Sequence, residues 1–124
     1  MVITELLRLD GPVQATARTA TQNQLIDGVE IAAGQQALVI IAAANRDPTV
    51  FDNPDRFQLS RTGPAPLTFG YGVHYCLGAA LARLEATVAL RRILARGPRL
   101  ADAVTWRDTL AIRGPLHVPI IFDR

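Results

Sequence analysis

The stretch Phe-Gly-Tyr-Gly-Val-His-Tyr-Cys-Leu-Gly, residues 69–78, runs straight into the clearest helical pattern of the chain. Its glycines at positions 70, 72 and 78 allow tight turns and let the backbone approach a bound group closely. Cys76, the only cysteine in the sequence, stands just before the predicted helix, where free N–H groups and the helix dipole stabilise a thiolate. A thiolate held in this way serves as a nucleophile or as a metal ligand.

The residues alone leave several roles open for Cys76. A free cysteine is often simply a small buried apolar residue. A zinc site needs about four ligands, and besides carboxylates the chain offers only Cys76, His74 and His117. A cysteine hydrolase would need a histidine base. His117 or His74 could serve, although His74 is poorly placed to align with the sulfur because it is only two residues away. The remaining role is that of a thiolate ligand to the metal of a large planar cofactor, which would explain the glycines and the lack of further ligands.

Hydrophobic periodicity and turn residues around this stretch predict one domain of mixed helix and sheet. In chain order we expect a short helix over 4–9, a strand over 13–20, a hairpin over 24–31 around Asp27-Gly28, a buried strand over 36–41, a short helix over 42–45, an irregular loop over 47–66, a long helix over 79–95, and short strands with a turn at Gly114-Pro115 over 99–124. Long irregular loops inside compact domains are usually functional.

Composition excludes several classes of function. The net charge is +2 and all basic residues are arginines, but they are scattered and aromatic residues make up only 6%, which does not indicate a nucleic-acid partner. The most apolar stretch, residues 37–44, is too short to cross a bilayer, and no secretory signal begins the chain. A single cysteine is typical of a reducing compartment. We expect a cytoplasmic protein without a membrane partner.

Residues 69–78 resemble the cysteine-ligand loop of the cytochrome P-450 family, Phe-Gly-x-Gly-x-(His or Arg)-x-Cys-x-Gly, at every specified position. The following residues, 79–85, are similar to bacterial members in particular. Glu5-Leu6-Leu7-Arg8 resembles the family's Glu-x-x-Arg pair, and Pro54-Asp55-Arg56-Phe57 resembles the loop motif that supplies a second arginine to that glutamate. The resemblance extends from Glu5 to the region of Gly114 and Pro119.

The resemblance implies a mixed helix and sheet piece of the mainly α-helical cytochrome P-450 fold: short helix, β-hairpins, long irregular loop, cysteine-ligand loop, long helix and terminal strands. Residues 1–124 would form a single C-terminal part of that domain. The family's oxygen-binding helix carries an acid–threonine pair, Gly-x-(Asp or Glu)-Thr, and this pattern does not occur in the sequence. We therefore expect a fragment that lacks the N-terminal portion and leaves the distal face of the haem uncovered.

The implied function is that of the haem-binding part of a monooxygenase that hydroxylates a small hydrophobic substrate. Cys76 would be the proximal thiolate ligand of the haem iron, whose electron donation favours O–O cleavage, and no other catalytic residue is predicted. Phe69 would pack beside the sulfur, and His74 and Arg18 would face the haem propionates. The predicted cofactor-binding residues are Arg18, Phe69, Gly70, His74 and Gly78.

Other residues receive structural and binding roles from the same resemblance. Glu5, Arg8 and Arg56 would form a buried charge network that holds the irregular loop against the core. Segments 13–16 and 110–112 would line a substrate cavity, and the predicted lining residues are Val13, Gln14, Ala15, Ala111 and Ile112. Arg83 would help to dock an acidic electron-transfer protein, which the bacterial resemblance implies to be of the ferredoxin type.

Two other functions stay open. The chain would then be either a truncated, non-catalytic haem-binding or interaction remnant or, more distantly, a cysteine hydrolase that uses Cys76 and His117.

Overall fold

The computed structural model describes residues 2–122 and confirms the predicted mixture of helix and sheet. Residues 1, 123 and 124, which belong to the predicted 1–124 unit, lie outside the described residues. The elements are α1 (Val2–Asp10), β1 (Ala15–Thr19), β2 (Gln24–Ile26), β3 (Val29–Ile31), β4 (Gln36–Ile40), α2 (Ile41–Ala44), α3 (Ala79–Leu94), β5 (Pro98–Leu100), β6 (Thr105–Trp106), β7 (Pro115–His117) and β8 (Ile120–Phe122). No helix among residues 2–122 is long and apolar enough to cross a membrane.

The strands form antiparallel pairs instead of one large sheet. β1 pairs with β4, from Ala15 opposite Ile40 to Thr19 opposite Gln36, and β5 and β6 pair with β8 and β7. The predicted hairpin joins β2 to β3. Its turn has φ of 48° at Asp27 and 79° at Gly28, which is the left-handed conformation that two-residue hairpin turns favour.

The prediction that residues 36–41 form a buried strand is wrong in its burial. β4 ends at Ile40, and its Leu38, Val39 and Ile40 side chains are all exposed. A continuous apolar run is typical of a strand that is covered on both faces, but β4 has only β1 as its neighbour within residues 2–122. Ile41 begins α2 and is the buried residue of this segment.

The interior is small and as polar as it is apolar. The buried apolar side chains are Ala15, Ile41, Phe51 and Ala79, and the buried polar ones are Glu5, Arg8, Asn45 and Thr68. α1 contacts α2, α3 and the segment Leu67–Phe69, so this helix lies between the irregular loop, residues 47–66, and the region of Cys76. The polar interior therefore borders the candidate site.

The chain exposes much more surface than a folded monomer of its mass. Its accessible surface is 9598 Å², whereas a compact protein of this size exposes about 6,500 Å². Much of the excess is apolar, because the predicted stripe of α3 leaves Leu81, Leu84, Val88 and Leu94 exposed. Contiguous apolar surface of this kind is typical of faces that other polypeptide covers.

Candidate functional site

Residues 67–78, here called the cysteine loop, form a sequence of tight turns. Short 3₁₀ helices span Leu67–Phe69 and Gly72–His74. The N–H of Cys76 donates to the carbonyl oxygen of Phe69 at 2.8 Å, which closes the loop on itself. The carbonyl oxygen of Cys76 in turn accepts the N–H of Ala79 at 3.2 Å. Cys76 is thereby tied both to the start of the loop and to the first residue of α3.

The glycines of the loop contribute in two ways. Gly70 and Gly72 have φ of 76° and 64°, where side chains other than glycine are strained. Gly78 has φ of −81°, which any residue adopts, but a Cβ there would stand 3.9 Å from the Cys76 sulfur. Glycine at position 78 therefore keeps the space beside the sulfur open.

A cleft of about 340 Å³ opens between the cysteine loop, α1, β1 and α3. Of the residues predicted to bind a cofactor or metal, those that line it are Arg18, Phe69, Gly70, His74 and Cys76. Cys76 is exposed, so its sulfur is accessible to a ligand. Leu7, Ile41 and Ala82 add apolar wall. The cleft thus offers one soft thiolate, two nitrogen-bearing side chains and apolar sides, a set of groups that fits a planar metal-containing cofactor with acidic substituents.

Arg18 currently bonds along its own strand. Its Nη1 donates to Thr16 Oγ1 at 3.0 Å and to the carbonyl oxygen of Ala17 at 2.8 Å, and the side chain is exposed. These are weak local partners for an arginine, so reorientation toward an anionic group in the cleft would break only contacts that water replaces.

The two predicted substrate-lining segments lie side by side. The N–H of Gln14 donates to the carbonyl oxygen of Ala111 at 2.9 Å, and Val13 forms an isolated bridge with Ile112. Val13 lines the cleft, whereas Ala15 is buried. Ala111 and Ile112 line a separate, open depression. Of the two predicted segments, only residues 13–16 contribute to the described lining of the cleft that contains Cys76.

A buried ion cluster lies behind the cysteine loop. The Arg8 guanidinium grips Glu5 with Nε to Oε2 and Nη2 to Oε1, both at 2.9 Å. Arg61 Nε donates to Oε1 at 2.9 Å and to Oε2 at 3.1 Å, and the N–H of Gln58 donates to Oε1 at 3.0 Å. Glu5 and Arg8 are 5% and 2% exposed. Every charge in the cluster is paired in a geometry that favours strong hydrogen bonds.

The prediction that Arg56 supplies the second arginine is wrong, because Arg61 holds that position. The Arg56 side chain is exposed, and only its carbonyl oxygen takes part, accepting Arg8 Nη2 at 3.2 Å and Arg61 Nη2 at 2.9 Å. Arg61 Nη1 also donates to the carbonyl oxygen of Asp52 at 2.6 Å. Carbonyl oxygens of the irregular loop accept hydrogen bonds from the Arg61 guanidinium and hold this side chain in the interior. The Arg56 side chain remains exposed to solvent.

The environment of Glu5 keeps its carboxylate charged. The pKa of Glu5 is lowered from 4.5 to about 2, with the hydrogen bonds from Arg8 as the largest cause, although burial acts to raise it. Arg61 and the N–H of Gln58 lower this pKa as well. Glu5 is therefore ionised at any physiological pH, and its charge is matched by arginines that stay protonated.

Asn45 and Thr68, both buried, join the ion cluster to the first turn of the cysteine loop, and no sequence motif selects either residue. Arg8 Nη1 donates to the carbonyl oxygen of Asn45 at 2.8 Å. The Asn45 side chain donates from Nδ2 to Thr68 Oγ1 at 3.2 Å and accepts the N–H of Leu67 at 2.7 Å. Thr68 Oγ1 donates to the carbonyl oxygen of Leu7 at 2.8 Å. Asn45 follows α2 with a helical φ of −72°, and nothing in its local sequence reveals its partner.

The Arg83 side chain is engaged by the cysteine loop. Its guanidinium carbon lies 4.6 Å from the centroid of the Phe69 ring, and Nη1 donates to Tyr75 Oη at 3.0 Å. The predicted base of a hydrolase is not in place, because no hydrogen bond joins Cys76 to His74 or His117 within residues 2–122, and His117 pairs with Thr105 between β7 and β6.

The family model of cytochrome P-450 matches residues 1–96, most of the chain. The chain belongs to the cytochrome P-450 family. It is 42% identical over 124 residues to the biotin biosynthesis cytochrome P-450 of Bacillus subtilis, covering 98% of this chain and 31% of that protein. It is also 42% identical over 126 residues to the 6-deoxyerythronolide B hydroxylase of Saccharopolyspora erythraea, covering 98% of this chain and 31% of the hydroxylase.

Solved cytochrome P-450 structures contain the same fold. The crystal structure of CYP109E1 from Bacillus megaterium in complex with testosterone superposes with a TM-score of 0.93 at 28% identity, covering 99% of this chain and 35% of that one. This cytochrome P-450 chain therefore spans about a third of the length of the relatives that it matches.

Replacing Arg61 in this cytochrome P-450 chain is expected to be far more damaging than replacing Arg56. Arg61→Ala leaves part of the Glu5 charge uncompensated in a buried site, so we expect the free energy of unfolding to fall by about 3 kcal/mol. Arg56→Ala keeps the carbonyl oxygen that the cluster uses, and we expect a change within about 0.5 kcal/mol. Urea unfolding of the two variants measures both values. Equal losses, or a larger loss for Arg56→Ala, would show that the cluster is assigned wrongly.

Stability should also depend on pH through Glu5. Because its pKa is about 2 in the folded chain and 4.5 as the ordinary value, the stabilisation is complete above pH 4.5 and is lost as the pH falls toward 2. Conversion of this shift gives about 3 kcal/mol. Unfolding measured across this range should show a steeper loss in the natural chain than in Glu5→Gln, which cannot titrate at this position. Identical slopes in the two proteins would contradict the assignment.

Proposed function

We propose that this chain is the haem-binding part of a cytochrome P-450 monooxygenase, with Cys76 as the thiolate ligand of the haem iron. The observation that carries the proposal is the shared cleft: an accessible cysteine sulfur at the start of α3 opens onto the same space as Arg18, Phe69 and His74. A bound haem would supply the oxygen chemistry, in which thiolate ligation favours O–O cleavage.

The chain's own residues would bind and orient the cofactor. The N-terminus of α3 would stabilise negative charge on the Cys76 sulfur. Phe69 would shield that sulfur from water, and Gly78 would let a flat ring approach it. His74 and Arg18 would donate hydrogen bonds to the two propionates at the cleft edge. These roles need no acid–base catalyst from this part of the protein.

The remainder of the active site would come from additional polypeptide. The relatives are about three times as long as this chain, and the chain exposes about 3,000 Å² more than its mass predicts. We infer that a portion equivalent to the rest of those relatives covers α3 and the distal face of the haem and carries the oxygen-binding helix. Residues 1–124 are then the C-terminal part of one domain.

The substrate and partners follow at a coarser level. Val13 and the apolar cleft wall favour a small hydrophobic substrate. Two relatives support this proposal, the 6-deoxyerythronolide B hydroxylase and the testosterone-bound CYP109E1. Similarity to bacterial members supports a ferredoxin-type electron donor and a cytoplasmic location.

The first prediction of this proposal concerns the sulfur ligand. The chain is expressed, mixed with haem, reduced and exposed to carbon monoxide. We expect a strongly red-shifted Soret band in the difference spectrum, because a thiolate donates charge to the iron. The band should disappear in Cys76→Ala.

Val73→Ala serves as the matched control, since Val73 lies in the same loop and is 98% exposed. It should retain the band. An identical spectrum in all three proteins would exclude Cys76 as the ligand.

A further inference from the structure

We propose that Arg83 is a positioning residue that clamps the cysteine loop from α3 and fixes Phe69 beside Cys76. The proposal rests on the proposed haem site for its functional meaning and on three contacts for its geometry. Arg83 stacks on the Phe69 ring at 4.6 Å and donates from Nη1 to Tyr75 Oη at 3.0 Å. The Phe69 and Tyr75 ring centroids are 6.5 Å apart and inclined at 57°.

These contacts complete a closed arrangement around the cysteine. On the backbone side, the N–H of Cys76 donates to the carbonyl oxygen of Phe69 at 2.8 Å. On the side-chain side, Arg83 connects Phe69 to Tyr75, the residue that precedes Cys76. Cys76 is therefore joined by a hydrogen bond to Phe69 and by a peptide bond to Tyr75, and one guanidinium contacts both of these residues.

The cysteine loop needs such a restraint because glycine makes it permissive. Gly70 and Gly72 separate Phe69 from Cys76, and glycine loses more conformational freedom on ordering than any other residue. The loop also packs little, since every residue from 71 to 78 is exposed. A side chain from the rigid body of α3 can limit this freedom. Arg83 is anchored there, its carbonyl oxygen accepting Thr87 Oγ1 at 2.7 Å.

The contacts require arginine in particular. A planar guanidinium can stack on a ring with its face while an edge N–H donates to a phenol oxygen, whereas a lysine ammonium cannot do both. These contacts direct one face of the guanidinium and Nη1 toward the loop. The structure therefore favours a role within the loop over the surface role that the sequence suggested.

The test compares Arg83→Met, Arg83→Lys and Tyr75→Phe with the natural chain. The first readout needs no haem. It is the ratio of the amide hydrogen exchange rate of Cys76 to that of Ala82, whose N–H donates to the carbonyl oxygen of Gly78 at 2.9 Å at the start of α3. A merely structural role would speed both amides together. We expect the Cys76 amide alone to exchange about tenfold faster in Arg83→Met and about threefold faster in Tyr75→Phe.

Arg91→Met is the matched control, because Arg91 is an exposed arginine of the same helix. It should leave the ratio of the two amides within about twofold of the natural value. The second readout is the dissociation constant for added haem, which should rise in the same order, about tenfold for Arg83→Met. Arg83→Lys should not restore either value.

If the ratio of the Cys76 and Ala82 exchange rates were equal in Arg83→Met and Arg91→Met, the proposal that Arg83 positions the cysteine loop would be overturned. Full rescue by Arg83→Lys would overturn it as well, because charge alone would then suffice. If the amide responds while haem affinity does not, the positioning role toward the cofactor is refuted. Failure of the proposed function looks different: the natural chain would show no cysteine-dependent haem band, while the exchange ratio would still respond to Arg83→Met.

Discussion

The buried carboxylate of Glu5 is the point from which the contacts around the site extend. Arg8 and Arg61 pair with it inside the protein, and its oxygen also accepts the N–H of Gln58. Such a cluster adds little net stability compared with apolar packing, but an unpaired member would be costly. The irregular loop lacks the regular backbone hydrogen bonds of a helix or sheet. The hydrogen bonds from the arginines to its carbonyl oxygens therefore fix its course. Through Asn45 the same cluster is connected to Thr68, the residue that precedes Phe69.

Two separate sets of contacts hold the cysteine loop. Hydrogen bonds from the polar interior fix its first turn, and Arg83 contacts Phe69 and Tyr75. Between these restraints the sulfur remains accessible. Rigid surroundings with an open ligand position are what a metal-binding thiolate requires. The exposed apolar face of α3 and the open cleft are consistent with our proposal that further polypeptide completes the site.

The sequence predicted what depends on local patterns and motifs. The hairpin at Asp27-Gly28, the helices and the order of elements are confirmed because turn chemistry and helical periodicity are local. The role of Arg61 was missed because an irregular loop has no period from which side-chain directions can be read, so the motif pointed to Arg56. The prediction that β4 is buried is wrong because an apolar run does not reveal whether other segments cover the strand. Asn45 and Thr68 meet across 23 residues of chain, which no local signal encodes.

The central claim is that the cysteine loop presents Cys76 as the sulfur ligand of a haem iron. X-ray absorption at the iron edge tests it most directly, using the haem-loaded chain beside its Cys76→Ser variant. The account predicts a sulfur neighbour of the iron, at a thiolate distance, in the natural chain and its replacement by a lighter atom in the variant. An iron surrounded only by nitrogen and oxygen in both proteins would contradict it.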